Sequence, residues 1–327
     1  MLGFEWNRFM AGTPRVSVLI PAYNVSAYIG EAITSVLAQT VTDWEIIVVN
    51  DGCPDTVNLE TVLQPYLDRI VYRKQANGGP SAARNTALLA AQAPVVALLD
   101  ADDSWMPEYL ETQLAMLDAD PKLALVYPNM RYNSSGPMNG RLVMELSPSE
   151  GEPTFEALVT QRCTVLNGAT IRREAVIEAG MWDPASRHAE DYDLWMRIAL
   201  RHPIAYHTRP LVNYRIREES LSANSIRMYS GQVYAYDKLL RDQPLTPAQR
   251  ELVSKARRQS MALRDLEVGR VSFEAGDYVT ARECFARANE VLQRPKLAAT
   301  IAALRVAPGL LRGVVALRRR LQGSARA

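Results

Sequence analysis

Leu98-Leu99-Asp100-Ala101-Asp102-Asp103 places three carboxylates directly after an apolar run. Charges at the end of a buried strand are costly unless they are solvated, paired or bound to a cation. Asp100 and Asp102 are spaced i, i+2, which suits a hard divalent ion. Mg²⁺ or Mn²⁺ takes one or two carboxylates and completes its shell with phosphate oxygens and water. By itself the pair reads more readily as a solvated loop. A second acidic group, Glu190-Asp191-Tyr192-Asp193, opens a segment of helical spacing. Acids are favoured at a helix N-terminus in any case. Pro21-Ala22-Tyr23-Asn24, Asn50-Asp51-Gly52, the stretch from Gln75 to Asn85 and Gly180-Met181-Trp182-Asp183 add polar groups and glycines. Gly78 and Gly79 allow a close backbone approach. Arg84 carries a planar fork of donors for a base or a phosphate.

The elements that must hold these groups alternate. Strands are expected at Val16–Ile20, stopped by Pro21, at Trp44–Val49, at Ile70–Arg73 and at Val95–Leu99. Helices are expected over 27–38, 55–67, 79–91 and 191–201. This alternation predicts parallel βαβ units with helices on both faces. Ligands then sit at the carboxyl ends of the strands, where 21–24, 50–51 and 100–103 collect. Residues 123–214 are mixed, with a turn-rich stretch at 136–140. Beyond Ser222 strand signals vanish and the chain reads as helical, with Thr246-Pro247 as a helix start.

The ordered motif series resembles the family 2 glycosyltransferases over about residues 14–222. The resemblance implies a GT-A fold, Rossmann-like with a mostly parallel sheet. It implies a nucleotide-sugar site at Pro21, Ala22, Tyr23, Asn24, Asp51, Gly78, Arg84, Asp100 and Ala101. Asp51 would accept from a base imide N–H, which favours UDP or dTDP, and Asp100 would contact the ribose. Asp102 would be the ligand of Mn²⁺ or Mg²⁺, and Asp191 the catalytic base of an inverting transfer to a glycan, lipid-linked or protein-linked hydroxyl. Trp182, His188, Glu190 and Arg215 are candidate acceptor or diphosphate contacts, with packing the favoured reading of Trp182. Where many relatives have Asp-Asp-Gly-Ser, this chain has Asn50-Asp51-Gly52-Cys53. The pathway implied is cell-surface polysaccharide or lipopolysaccharide synthesis. A non-catalytic scaffold and a sugar nucleotidyltransferase are the alternatives. Pro21–Asn24 is not the glycine-rich basic loop that a nucleotidyltransferase needs, and no G-x-G-x-x-G follows the first strand.

Net charge is +1 over 327 residues, which offers no argument for nucleic acid. It conceals an asymmetry. From Arg294 onward there are eight Lys or Arg and no acid, so the rest, with 29 basic and 36 acidic residues, carries −7. Three scattered cysteines predict neither a disulfide framework nor a zinc site. The first residues show no secretory signal pattern, and no apolar run is long enough to span a bilayer. The expected place is the cytoplasm, peripheral on the inner face of the membrane. The expected organisation is an arm (1–13), a catalytic domain (14–222), a helical region (223–293) and a basic amphipathic tail (294–327). The helical region includes a tetratricopeptide-like hairpin built on Gly269, Ala281 and Ala288, and offers an oligomerisation surface. Leu297, Ile301, Leu304, Leu311 and Val315, with Arg305, Arg312 and Arg319, make residues 294–321 a candidate membrane-surface segment.

Overall fold

In a computed structural model, residues 13–166, 168–217 and 224–306 are described. Residues 1–12 of the expected arm, the segment Ser220-Leu221-Ser222 and the tail beyond Val306, with Arg312 and Arg319, lie outside them. The chain forms two compact units, Met1–Ser220 and Leu221–Ala327.

The first unit is a mixed α/β fold. Its elements are β1 (Val16–Ala22), α1 (Ile29–Leu37), β2 (Trp44–Asp51), α2 (Thr56–Leu63), β3 (Ile70–Gln75), α3 (Gly79–Ala90) and β4 (Val95–Leu98). They continue with β5 (Ser104–Trp105), α4 (Tyr109–Ala119), β6 (Leu125–Asn133), α5 (Phe155–Val159), β7 (Thr170–Arg172), α6 (Arg173–Glu178), α7 (Glu190–Ala199) and β8 (Ile204–Arg215). The described residues make one eight-stranded sheet in the order β3-β2-β1-β4-β7-β6-β8-β5. β3, β2, β1 and β4 run parallel. β7 enters antiparallel between β4 and β6, and β8 lies parallel to β6. Val18, Leu19, Ile20, Ile47, Val48 and Val96 are fully buried, as expected for strands covered on both faces.

The chain steps outward from β1 to β2 to β3 and then returns to β4 on the other side of β1. That reversal makes the β1/β4 boundary a topological switch point, where the carboxyl ends of neighbouring strands diverge. Pro21 helps open it. β1 continues through Pro21 to Ala22, beyond the stop predicted at Pro21, because the β2 ladder runs on to Ala22↔Asn50. The β4 ladder ends at Leu19↔Leu98, with the Leu99 N–H donating to the Leu19 carbonyl. Pro21 has the same parity as Leu19, so its missing N–H falls on the β4 side, where pairing has stopped.

Three strands in the mixed region, β6, β7 and β8, and the two-residue β5 before it escape the sequence reading. β6 and β8 carry Pro128 and Pro210, and their register shifts between Tyr127 and Met130. Proline at a bulge and a polar outer face erase the alternation that marks a strand.

The second unit comprises α8 (Ser225–Asp242), α9 (Pro247–Ala275), α10 (Tyr278–Leu292) and α11 (Pro295–Val306). Thr246 and Gln249 form a capping box at the start of α9, with Pro247 at its first position. Gly276 closes α9 at φ +87°, a conformation that favours glycine. A Cβ on Gly269 would lie 2.6 Å from the Phe285 ring, so the hairpin packs as closely as its small residues allow. Leu297, Ile301 and Leu304 are buried with Leu266, Phe285 and Ala288. The apolar face of residues 295–306 is therefore turned into the protein's own core. The rest of the candidate membrane-surface segment, beyond Val306, lies outside the described residues. Among the described residues no helix is long and apolar enough to cross a membrane.

Candidate active site

The switch point carries the predicted nucleotide-sugar positions. Ala22 is buried at the end of β1, while Tyr23 stands half exposed. Asn24 follows with φ 54°, a left-handed conformation that asparagine tolerates. Its N–H donates to Cys53 Sγ at 2.9 Å, and that thiol donates to Asp55 Oδ1 at 2.6 Å. Burial and Asp55 push the thiol above its ordinary range. The side chain at 53 thus ties the β1 loop to the β2 loop. Asn50, where many relatives carry an acid, is buried. It accepts from the Cys53 N–H and donates to Thr56 and Tyr72.

Asp51, at the end of β2, is held by the end of β3 and the segment that follows it. Oδ1 accepts from Gln75 Nε2 at 2.7 Å and from the Gly78 N–H at 2.8 Å, and Oδ2 accepts from the Gly79 N–H at 2.8 Å. The carboxylate is buried and organises the glycine loop that starts α3. Gly79 takes φ +83°, which a side chain would strain. Asp51→Ala leaves three donors without their acceptor. It is expected to cost about 1–3 kcal/mol of stability, read from urea unfolding, and to weaken nucleotide binding.

Arg84 lies in the first turns of α3, behind the glycine loop. It is buried, and its guanidinium joins Asp100 (Nη2–Oδ1 2.9 Å), Glu190 (Nη1–Oε1 3.2 Å) and Asp191 (Nη1–Oδ1 3.2 Å). Three carboxylates around one cation raise its proton affinity further, against the effect of burial. Arg84 therefore links the end of β4 to the start of α7.

Ala101 is buried, so its side chain cannot face a ligand. Asp102 keeps 17% of its side-chain surface and lies 2.7 Å from Arg217 Nε. Burial and the neighbouring Asp100 push its carboxyl upward, while Arg217 pulls it down. Burial and Asp100 push Asp103 further, well above the carboxylate range. Asp103 accepts from the Arg215 N–H at 2.8 Å. Asp100 and Asp102 are ion-paired with Arg84 and Arg217, and Asp102 keeps enough exposed surface to meet a cation. Among the described residues no three His, Cys, Asp or Glu converge as a self-contained metal site. The donor set fits an ion that takes one carboxylate and fills its remaining positions from a diphosphate and water.

Two arginines close the site. Arg215 binds the Asp102 carbonyl (2.9 Å) and Glu31 (2.6 Å) and lies over the Tyr28 ring at 5.0 Å. Arg217 donates to the Asn24 carbonyl at 3.2 Å and lies over the same ring at 5.6 Å. With Ser26, Tyr28 and Asn133 they line a cleft of about 510 Å³. The sequence reading found Arg215 and missed Arg217. The signal was present, since residues two apart at a strand end point the same way.

Asp191 keeps 18% of its side-chain surface. Burial pushes its carboxyl up to about 7, Glu190 and Asp100 add to the rise, and Arg84 and the Trp182 indole oppose it. Trp182 is 1% exposed and donates from Nε1 to Asp191 Oδ1 at 2.8 Å. It packs edge-on to Trp195 with ring centroids 6.4 Å apart, in keeping with the packing reading. Asp193 is fully buried against Arg197 at 2.6 Å and is structural. His188 lies just before α7, and its Nδ1 is buried without a hydrogen-bond partner among the described residues.

This arrangement, a parallel nucleotide-type half-sheet with an Asp-x-Asp at its switch point and a mixed half-sheet beyond, is of the GT-A type. Residues 17–179 match the model of glycosyl transferase family 2. The chain belongs to that family. It is 31% identical over 210 residues to the uncharacterized glycosyltransferase RC0461 of Rickettsia conorii. That match spans 62% of this chain and about a third, 34%, of the relative's length. It is 28% identical over 218 residues to the Escherichia coli protein WfgD, UDP-Glc:alpha-D-GlcNAc-diphosphoundecaprenol beta-1,3-glucosyltransferase, covering 65% of this chain and 81% of WfgD. The structure of S. aureus TarS 1-349 in complex with UDP-GlcNAc superposes with a TM-score of 0.62 at 17% identity, over 89% of this chain and 87% of that one.

Proposed function

We propose that this chain is a metal-dependent, inverting glycosyltransferase that moves a sugar from a nucleoside-diphosphate donor to a hydroxyl. The observation that carries the reading is the ion-pair chain Asp100–Arg84–Asp191. It holds a carboxylate of raised proton affinity beside the Asp-x-Asp end of β4. Attack by the acceptor oxygen forms a bond to the anomeric carbon as the bond to the diphosphate oxygen breaks. Asp191 takes the proton the acceptor loses. Asp102 would hold a divalent cation, whose charge neutralises the departing diphosphate. No second carboxylic acid is then needed for the leaving group. Tyr23 and Asn24 border the nucleotide, and Asp51 supports it through the glycine loop.

A uracil or thymine nucleotide is the favoured donor. The names of WfgD and of the TarS complex, with UDP-Glc and UDP-GlcNAc, support that choice. A glycan on a lipid carrier, as WfgD's name specifies, is the favoured acceptor class. Such an acceptor would place the enzyme at the cytoplasmic face of a membrane, in cell-surface polysaccharide synthesis.

The test is nucleoside diphosphate release from a panel of UDP-, dTDP- and GDP-sugars with Mn²⁺ and candidate acceptors. One donor is expected to turn over. An inert panel would favour the scaffold reading. With the active donor, kcat/KM reports the free enzyme. Asp191 works only when ionised. The rate constant is therefore expected to climb with the ionised fraction up to about pH 7 and to level above it. A profile flat from acid to neutral pH contradicts the assignment of Asp191 as the base.

A further inference from the structure

Asp191 is held asymmetrically. Oδ1 accepts from the Trp182 indole at 2.8 Å and from Arg84 Nη1 at 3.2 Å. Among the described residues Oδ2 accepts from none. Indole N–H and guanidinium are donors only. A proton on Oδ1 would face two hydrogens and forfeit both bonds, so a proton arriving at this carboxylate goes to Oδ2.

The two donors are unequal. Arg84 Nη1 is shared between Asp191 and Glu190, both at 3.2 Å. The indole bond is shorter and undivided, and its donor is fixed. Asn85 clamps the Trp182 backbone at both polar atoms, with Nδ2 donating to the carbonyl at 2.7 Å and Oδ1 accepting from the N–H at 3.0 Å. Arg197 donates to the carbonyls of Ala179 and Met181. Met181 is held at φ 59° in that turn. Successive residues of α3 thus converge on one carboxylate, Arg84 directly and Asn85 through Trp182.

Resting on the functional reading above, we propose that Trp182 and Asn85 are positioning residues that commit Asp191 Oδ1 to the protein and leave Oδ2 as the atom that takes the acceptor proton. The charged groups facing this carboxylate are Arg84 from α3, Asp100 from the end of β4 and Glu190 from its own helix. Of these, only Arg84 is hydrogen-bonded to it. The indole is a neutral donor that favours the ionised form without adding charge.

The test is NMR titration of the full-length, ligand-free protein carrying [γ-¹³C]Asp and ¹⁵N-Trp. The Asp191 resonance is identified by its loss in Asp191→Asn. Trp182→Phe removes the indole donor and is expected to raise the Asp191 midpoint by about one pH unit, since a hydrogen bond to a charged group is worth that much. Asn85→Ala loosens the donor and is expected to move the midpoint the same way by less. An unmoved midpoint in folded Trp182→Phe overturns the proposal. If that variant does not fold, an unmoved midpoint in Asn85→Ala does so. In the unmutated protein, one of the five indole resonances is expected to titrate with the Asp191 midpoint and to stop titrating in Asp191→Asn. No such indole would also overturn the proposal. These readings concern the ligand-free carboxylate and stand apart from turnover. Failure of the functional reading would show instead as full sugar transfer by Asp191→Asn.

Discussion

Asp191→Asn is expected to lower sugar transfer by about 10²–10⁴-fold, the range that a positioned general base contributes, while nucleotide affinity is kept. The carboxamide has the shape of the carboxylate. Its oxygen can still accept from Trp182 and Arg84, so the start of α7 should be undisturbed. Arg84 loses one of three carboxylates but remains paired with Asp100 and Glu190. What disappears is a group that can take a proton. Nucleoside diphosphate release measured beside calorimetric titration of the nucleotide separates the two effects. Loss of rate with binding intact supports the base. Wild-type rate would exclude it, and loss of binding as well would give Asp191 a structural role.

Asp102→Asn is expected to act on the other half of the reaction. A neutral carboxamide holds Mg²⁺ or Mn²⁺ less well than the carboxylate it replaces. Metal-assisted neutralisation of a diphosphate is worth several kcal/mol, so the metal-dependent part of nucleotide binding should fall by about a hundredfold or more. The metal-independent part should survive. Arg217 loses its ion pair with Asp102 in this variant, and the cleft it lines retains Arg215 and Arg217 as anion partners. Titration with and without Mn²⁺ reads both parts. A variant whose nucleotide affinity still responds fully to Mn²⁺ would move the metal ligand elsewhere, with Asp100 the next carboxylate to replace.

Much of this was legible in the residues. The alternating apolar runs from Val16 to Leu99 have the length, period and punctuation of parallel strands and their crossover helices, and the structure has them there. The polar termini of those strands had to meet at one sheet edge once the topology was parallel, so Asn24, Asp51 and Asp102 were read as neighbours of one site. The mixed half was not legible. Pro128 and Pro210 interrupt β6 and β8 at a bulge, and β7 has three residues, too few for a period to show. Nor were the partners of the charged groups legible. The family resemblance and its planar fork of donors put Arg84 at the nucleotide. Its actual partners come from Asp100 and from Glu190 and Asp191, more than a hundred residues further on. Trp182 presented as core and is core. Its single polar atom nevertheless reaches the base, a contact fixed by the Asn85 clamp and invisible to any spacing rule. The tail was read from a helical apolar stripe with basic neighbours. A stripe does not say what it packs against, and over residues 295–306 it packs on α9 and α10.

The central claim is a metal-dependent nucleotide site at the β1/β4 switch point, and calorimetric titration of the full-length protein with UDP, GDP and dTDP tests it most directly. Each nucleotide is added with and without Mn²⁺. At least one, with UDP or dTDP favoured, is expected to bind tightly only when Mn²⁺ is present. If none binds in the presence of the metal, or if one binds equally well without it, the site is not the metal-assisted diphosphate site described here.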